Sequence, residues 1–118
     1  MSPGADSDRF RIEQSRQGGA HVLRLIGELD LSGVDLFEQA LEAELGAGGG
    51  NIVALDLREL RFMDSSGLRA LVMADRRVKD ADRKLVLVRP SGSVERVLAL
   101  TDVSERLALA DDVPTGSA

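Results

Sequence analysis

Apolar and polar positions alternate from the first patterned segment of the chain. Phe10-Arg11-Ile12-Glu13 repeats with period two, as a half-buried strand does. Arg16-Gln17-Gly18-Gly19 reads as a turn, and His21-Val22-Leu23-Arg24-Leu25-Ile26 as a second strand. Two strands joined by a short Gly-containing connection predict an antiparallel hairpin. Gly27-Glu28-Leu29-Asp30-Leu31 reads as a connection, with Ser32 as the expected N-cap of a helix and Asp35 three residues on. Val34, Phe37, Leu41 and Leu45 recur at i, i+3, i+7 and i+11, one apolar stripe on that helix. Gly46 is a natural C-cap, and Gly48-Gly49-Gly50 cannot continue a helix.

Asn51-Ile52-Val53-Ala54-Leu55-Asp56-Leu57 is nearly unbroken in apolar residues, the pattern of a strand buried on both faces. Arg58 to Met63 reads as a loop. Asp64-Ser65-Ser66-Gly67 follows and opens a long helical pattern, with Leu68, Leu71, Val72, Ala74 and Val78 on its buried side and Arg69, Arg76, Arg77 and Lys79 on its wet side. Lys84-Leu85-Val86-Leu87-Val88 is a further buried strand. Ser93 is the expected cap of a short helix carrying Val94, Val97, Leu98 and Leu100, and Leu107-Ala108-Leu109 is a weak last strand. The order ββαβαβαβ predicts an α/β domain: a mixed, mostly parallel β-sheet with an N-terminal antiparallel hairpin and covering helices. Residues 1–8 and 111–118 are short and polar and read as flexible tails on a single domain spanning 9–110.

Composition narrows the chemistry. The chain has 118 residues, enough for one domain with a core of its own. It has no Cys, which excludes disulfides, thiol catalysis and cysteine metal sites, and a single His, His21. His21 occupies a polar slot of its strand and reads as a surface histidine. Trp and Tyr are absent, and the formal net charge is −5, so nucleic-acid and anionic-membrane binding are both disfavoured. No apolar run approaches a membrane span, and the first residues do not read as a signal peptide, so the expected compartment is the cytoplasm.

Four segments carry residues of chemical interest. Ser65 lacks a G-x-S-x-G context, and the only imidazole that could serve it as a base, His21, reads as a surface residue at the start of the second strand, which argues against a hydrolase nucleophile. Leu45 to Gly50 follows a helix and precedes a strand, the reverse of a phosphate loop, and lacks its Lys. The basic residues Arg76, Arg77, Lys79, Arg83 and Lys84 are interleaved with Asp75, Asp80 and Asp82, as on a solvated helix face. Glu28 and Asp30 have no third ligand nearby for a metal. No cofactor and no metal are expected.

Asp64-Ser65-Ser66-Gly67 by itself is a capping arrangement, in which a short oxygen side chain accepts from the free amides of the first turn. Phe62 and Met63, directly before it, either tuck under the helix or form an exposed contact patch. The serines also sit at the positive end of a helix dipole, where the ~−1.5 to −2 charge of a phosphate is tolerated.

Gly27-Glu28-Leu29-Asp30, Leu55-Asp56-Leu57 followed by Met63-Asp64-Ser65-Ser66-Gly67-Leu68, and Leu85-Val86-Leu87-Val88 followed by Pro90 together resemble the STAS domain family. Within it they are most similar to the small, single-domain anti-sigma factor antagonists of bacteria. The resemblance spans residues 9–110. It implies a non-enzymatic, phosphorylation-controlled binding switch. Ser65 would be phosphorylated by the partner, an anti-sigma factor that is itself an ATP-dependent serine kinase, and a metal-dependent serine phosphatase would reset it. Asp64 would orient Ser65, while Ser66 and Gly67 shape the helix start. Glu28, Asp30, Ser32, Phe62, Met63 and Leu68 would share the docking surface with them. Asp102 stands where many relatives carry Gly, so the turn there is expected to differ. The alternative function is a constitutive scaffold or small-ligand sensor in which Ser65 is only a cap.

Overall fold

In a computed structural model, the described residues are 9–48, 50–101 and 106–114. The expected tail at residues 1–8, the last four residues of the other tail, and Asp102 lie outside them.

The hairpin closes on two residues. Strands β1 (Phe10–Gln17) and β2 (Ala20–Leu29) pair antiparallel, with Gln17 opposite Ala20. Gly18 and Gly19 take φ of 54° and 90°. Positive φ at both central residues is what a two-residue turn between right-twisted strands demands. Arg16 and Gln17 thus belong to the strand, not to the turn.

β2 also runs three residues beyond its expected end. It absorbs Gly27-Glu28-Leu29 because register shifts between Arg24 and Ile26 and between Gly27 and Glu28 let pairing continue past the glycine. β3 (Ile52–Met63) pairs parallel with β2 through its last residue, Met63, opposite Leu29. The stretch from Arg58 expected as loop is therefore strand. Its alternation is obscured because β4 (Lys84–Val88) accompanies β3 only as far as Asp56. Beyond that, β2 alone holds it. β5 (Ala108–Ala110) pairs parallel with β4, giving the order β1-β2-β3-β4-β5.

Helices α1 (Leu31–Ala47), α2 (Ser65–Asp80) and α3 (Gly92–Ala99) all feed one core. Phe37 and Leu41, Leu71 and Val78, and Val94 and Leu98 bury themselves on Leu23, Leu25, Leu55, Leu57 and Leu87 of the sheet. Each such side chain contributes roughly 1.5–3 kcal/mol on leaving water. Among the described residues no helix is long and apolar enough to cross a membrane.

Three caps differ from expectation. Asp30, not Ser32, caps α1: it is extended (φ −120°, ψ −170°), and its carboxylate accepts the Ser32 amide. Gly48, with φ 72°, ends that helix two residues after Gly46. Ser91 stands at the start of α3 without a side-chain cap bond. The Ser93 hydroxyl instead donates to the Arg61 carbonyl at 3.1 Å, tying α3 to the far end of β3.

His21 is not on the surface. It shares a face of β2 with Leu23 and Leu25, is only 2% exposed, and its Nδ1 is hydrogen-bonded to the Glu44 carboxylate of α1. The α1 C-terminal half covers this end of the sheet. Gly50 packs so closely on the ring that a Cβ there would stand 2.8 Å from Cδ2. The slot looked polar because its partner is a carboxylate rather than a hydrocarbon.

Candidate functional site

The register of β2 and β3 decides where the site lies. Glu28 stands opposite Phe62 and Leu29 opposite Met63, so two parallel strands end at the same level. Each is followed by one extended aspartate and then by a helix. Asp30 and Asp64 therefore cap two neighbouring helices whose positive ends emerge side by side at one edge of the molecule.

Asp64 has φ −102° and ψ −170°. Its Oδ1 accepts from the Ser66 amide at 2.9 Å and the Gly67 amide at 3.1 Å. The cap is thus Asp64 and not Ser65, which the residues alone had left open. Ser65 is the first residue of α2 and is exposed, and its hydroxyl has no hydrogen-bond partner among the described residues. Ser66 and Leu68 are half-buried.

Around Asp30 the same device is more heavily bonded. Its Oδ1 accepts from the Ser32 amide at 3.0 Å and the Ser32 hydroxyl at 2.6 Å, and Arg9 donates to Oδ2 at 3.1 Å. The Ser32 hydroxyl is the main influence holding the Asp30 carboxyl below its ordinary value; slight burial opposes it, and the Ser32 amide, the Arg9 charge and the Gly33 amide reinforce it. Arg9 also stands 3.7 Å from Glu28. This guanidinium occupies the acidic pair that a cation would otherwise seek.

Two large apolar side chains stand out of this surface, Leu31 at 73% exposure and Phe62 at 44%. Met63 does not join them, being 3% exposed and part of the core. The two alternatives for Phe62 and Met63 therefore divide between them, because adjacent strand residues point to opposite faces. Gly67 is buried too, and its Cα lies against the end of β2. These two frame the surface from beneath, while Glu28, Asp30, Ser32, Phe62, Asp64, Ser65, Ser66 and Leu68 are at least partly accessible at it.

The arrangement has carboxylate acceptors, hydroxyls and hydrophobic knobs, but no imidazole among the described residues. His21 pairs with Val53 near the opposite end of the strands, eight residues from Leu29, or about 26 Å along β2. A general base must lie within hydrogen-bond reach of the proton it takes.

Sequence reasoning missed the Arg9 clamp and exposed Leu31. A signal was available: Glu28-Leu29-Asp30-Leu31-Ser32 and Phe62-Met63-Asp64-Ser65-Ser66 repeat one pattern, apolar-Asp-x-Ser at a strand end.

Comparison with known proteins agrees with this geometry. An anti-sigma F factor antagonist of Paenibacillus polymyxa is 24% identical over 103 residues, 87% of this chain and 88% of that protein. Among solved structures, an anti-sigma factor antagonist from Mycobacterium paratuberculosis superposes with a TM-score of 0.75 at 21% identity, over 95% of this chain and 91% of that one. The anti-sigma factor antagonist SpoIIAA in its unphosphorylated form gives 0.68 at 25% identity, over 87% and 89%. The Bacillus SpoIIAA in its phosphorylated form gives 0.63 at 23%, over 87% and 92%. The model of the STAS domain matches residues 11–116, nearly the whole of the chain, which therefore belongs to the STAS domain family.

Proposed function

We propose that this STAS domain is an anti-sigma factor antagonist, a non-enzymatic regulator acting in the cytoplasm. Its unphosphorylated form binds an anti-sigma factor serine kinase and so releases the sigma factor. The kinase transfers the γ-phosphate of ATP to the Ser65 oxygen, which loses its proton as ADP departs, and the modified chain lets go. A metal-dependent serine phosphatase hydrolyses the phosphate and restores binding.

One observation carries the reading. Ser65 is an exposed hydroxyl at the first position of a helix already capped by its neighbour, on the rim of a surface bearing Leu31, Phe62 and three carboxylates. Its hydroxyl is not needed for the cap, so modifying it leaves the fold alone. The names of the relatives point the same way, as does the existence of SpoIIAA in two phosphorylation states. Asp64 orients the helix start, and Leu31 and Phe62 supply the apolar contacts of docking, with Glu28, Asp30, Ser32, Ser66 and Leu68 around them. A phosphate beside Asp64 places like charge at that interface, which costs several kcal/mol. At ~1.4 kcal/mol per tenfold, the loss of affinity reaches about a hundredfold or more.

Incubation with ATP and the cognate anti-sigma factor kinase should add one phosphate, seen by mass spectrometry, and Ser65→Ala should receive none. An undiminished phosphate signal on Ser65→Ala overturns the assignment. In titrations, Ser65→Glu should bind that kinase far more weakly while melting near the wild-type temperature. Unchanged affinity would remove the charge mechanism.

A further inference from the structure

Arg69 stands four residues after Ser65, one turn along the same face of α2. Both residues are exposed. Long side chains on a helix lean back over the preceding turn, because each Cα–Cβ bond tilts toward the N-terminus. An arginine at position 69 is therefore within reach of the residue-65 end of the helix.

Arg69 is also unengaged. Among the described residues it makes no ion pair and no side-chain hydrogen bond, as is also true of Arg76 two turns on, whereas Arg77 and Lys79 are paired with Glu42 and Asp75. The first turn of α2 contains no acidic residue. A cation one turn into a helix opposes the dipole unless an anion precedes it. The nearby carboxylates do not supply that anion. Asp64 is turned onto the amides of Ser66 and Gly67, and Glu28 and Asp30 share Arg9.

We propose that Arg69 is the intrachain counter-ion for a phosphate on Ser65, a role that rests on Ser65 being the modified residue. Acid before base at i, i+4 is the favourable order on a helix. The Ser66 and Gly67 amides are already taken by Asp64, so it is the guanidinium that the phosphate would meet as its charged donor. Free phosphoserine takes up its last proton with a pKa of about 6, so part of it is monoprotonated near neutral pH. The carboxylates of Asp64, Asp30 and Glu28 push that value up, and Arg9, already shared between two of them, compensates little. Arg69 pulls it down and keeps the phosphate doubly charged, which is the form that repels a partner most strongly. Arg69 is thus a positioning residue for the switched-off state.

The test is a phosphorus NMR pH titration of the intact chain with phosphoserine installed at position 65 by genetic-code expansion. The second ionisation should fall about 0.3 pH unit lower in the wild-type background than in Arg69→Gln. Arg69→Lys should restore most of the difference, since charge and not the fork geometry carries it. Arg69 is exposed, so these variants keep the fold. Superimposable curves for wild type and Arg69→Gln overturn the proposal. Because the phosphate is installed without a kinase, a kinase that ignores Ser65 would count against the switch and leave this measurement standing.

Discussion

The Leu29 carbonyl lies against Gly67: a Cβ on residue 67 would stand 2.5 Å from that oxygen and 2.7 Å from Met63 Cγ. The same carbonyl accepts from the Asp64 amide at 3.4 Å. The end of β2 is thus pressed into the first turn of α2, and the two helix starts are held at one spacing. Gly67→Ala should destabilise the domain by ~1–3 kcal/mol through overpacking against backbone. The ~1 kcal/mol that alanine gains over glycine in a helix offsets part of that. Urea unfolding measures the balance, and a stabilised variant would mean that β2 yields.

Which side chain caps α2 has a consequence at the neighbouring serine. Asp64→Ala should cost ~0.5–2 kcal/mol, because the Ser66 and Gly67 amides lose their acceptor. Asp64→Asn keeps an oxygen there and should cost clearly less. Ser65→Ala removes no bond within the described structure and should stay within about 0.5 kcal/mol of wild type. Thermal melts of the three variants check the ranking. A Ser65→Ala loss as large as that of Asp64→Ala would move the cap to the serine.

The order of elements was legible because each buries a periodic apolar face, and burial is what periodicity reports. Boundaries failed where something else holds the chain. The last residues of β3 are kept extended by pairing with β2 although Arg58, Glu59, Arg61 and Phe62 face solvent. Asp30 and Ser32 are both good caps, and only the backbone conformation at Asp30 decides between them. The chemistry of the site was readable because Asp64-Ser65-Ser66-Gly67 is contiguous. The Arg9 clamp was not, since it joins residues 21 apart and depends on the hairpin setting Phe10 opposite Gly27.

His21 and Glu44 should behave as a coupled pair. The imidazole is buried, and its hydrogen-bond partner among the described residues is the Glu44 carboxylate, itself 8% exposed. Glu44→Ala should cost ~1–3 kcal/mol by leaving a buried ring nitrogen unsatisfied. His21→Ala should cost more, since it also opens a cavity beneath α1. In a double-mutant cycle the combined loss should fall short of the sum by ~0.5–3 kcal/mol. Strict additivity would show that the two groups do not support each other.

Asp56 should make the domain acid-labile. This carboxylate is 5% exposed, in the middle of β3. Burial is the largest single influence on it and pushes its pKa up. Hydrogen bonds from the Arg58 amide at 3.1 Å, Nε at 3.0 Å and Nη2 at 2.9 Å, with the charges of Arg58 and Arg24, together outweigh burial and hold it below the ordinary value of 3.8. A folded-state pKa below the unfolded one means that the unfolded chain binds the proton more readily. The contribution of Asp56 is therefore fully present above the unfolded pKa and disappears as pH falls through that value and then the folded one. Urea unfolding of wild type between about pH 5 and pH 2 should show stability dropping over this window. Asp56→Asn should be less stable at neutral pH, because Arg58 loses the buried one of its two carboxylate partners and keeps only exposed Asp112, and should lose less on acidification. Parallel pH profiles for the two proteins would show that Asp56 is not among the groups responsible.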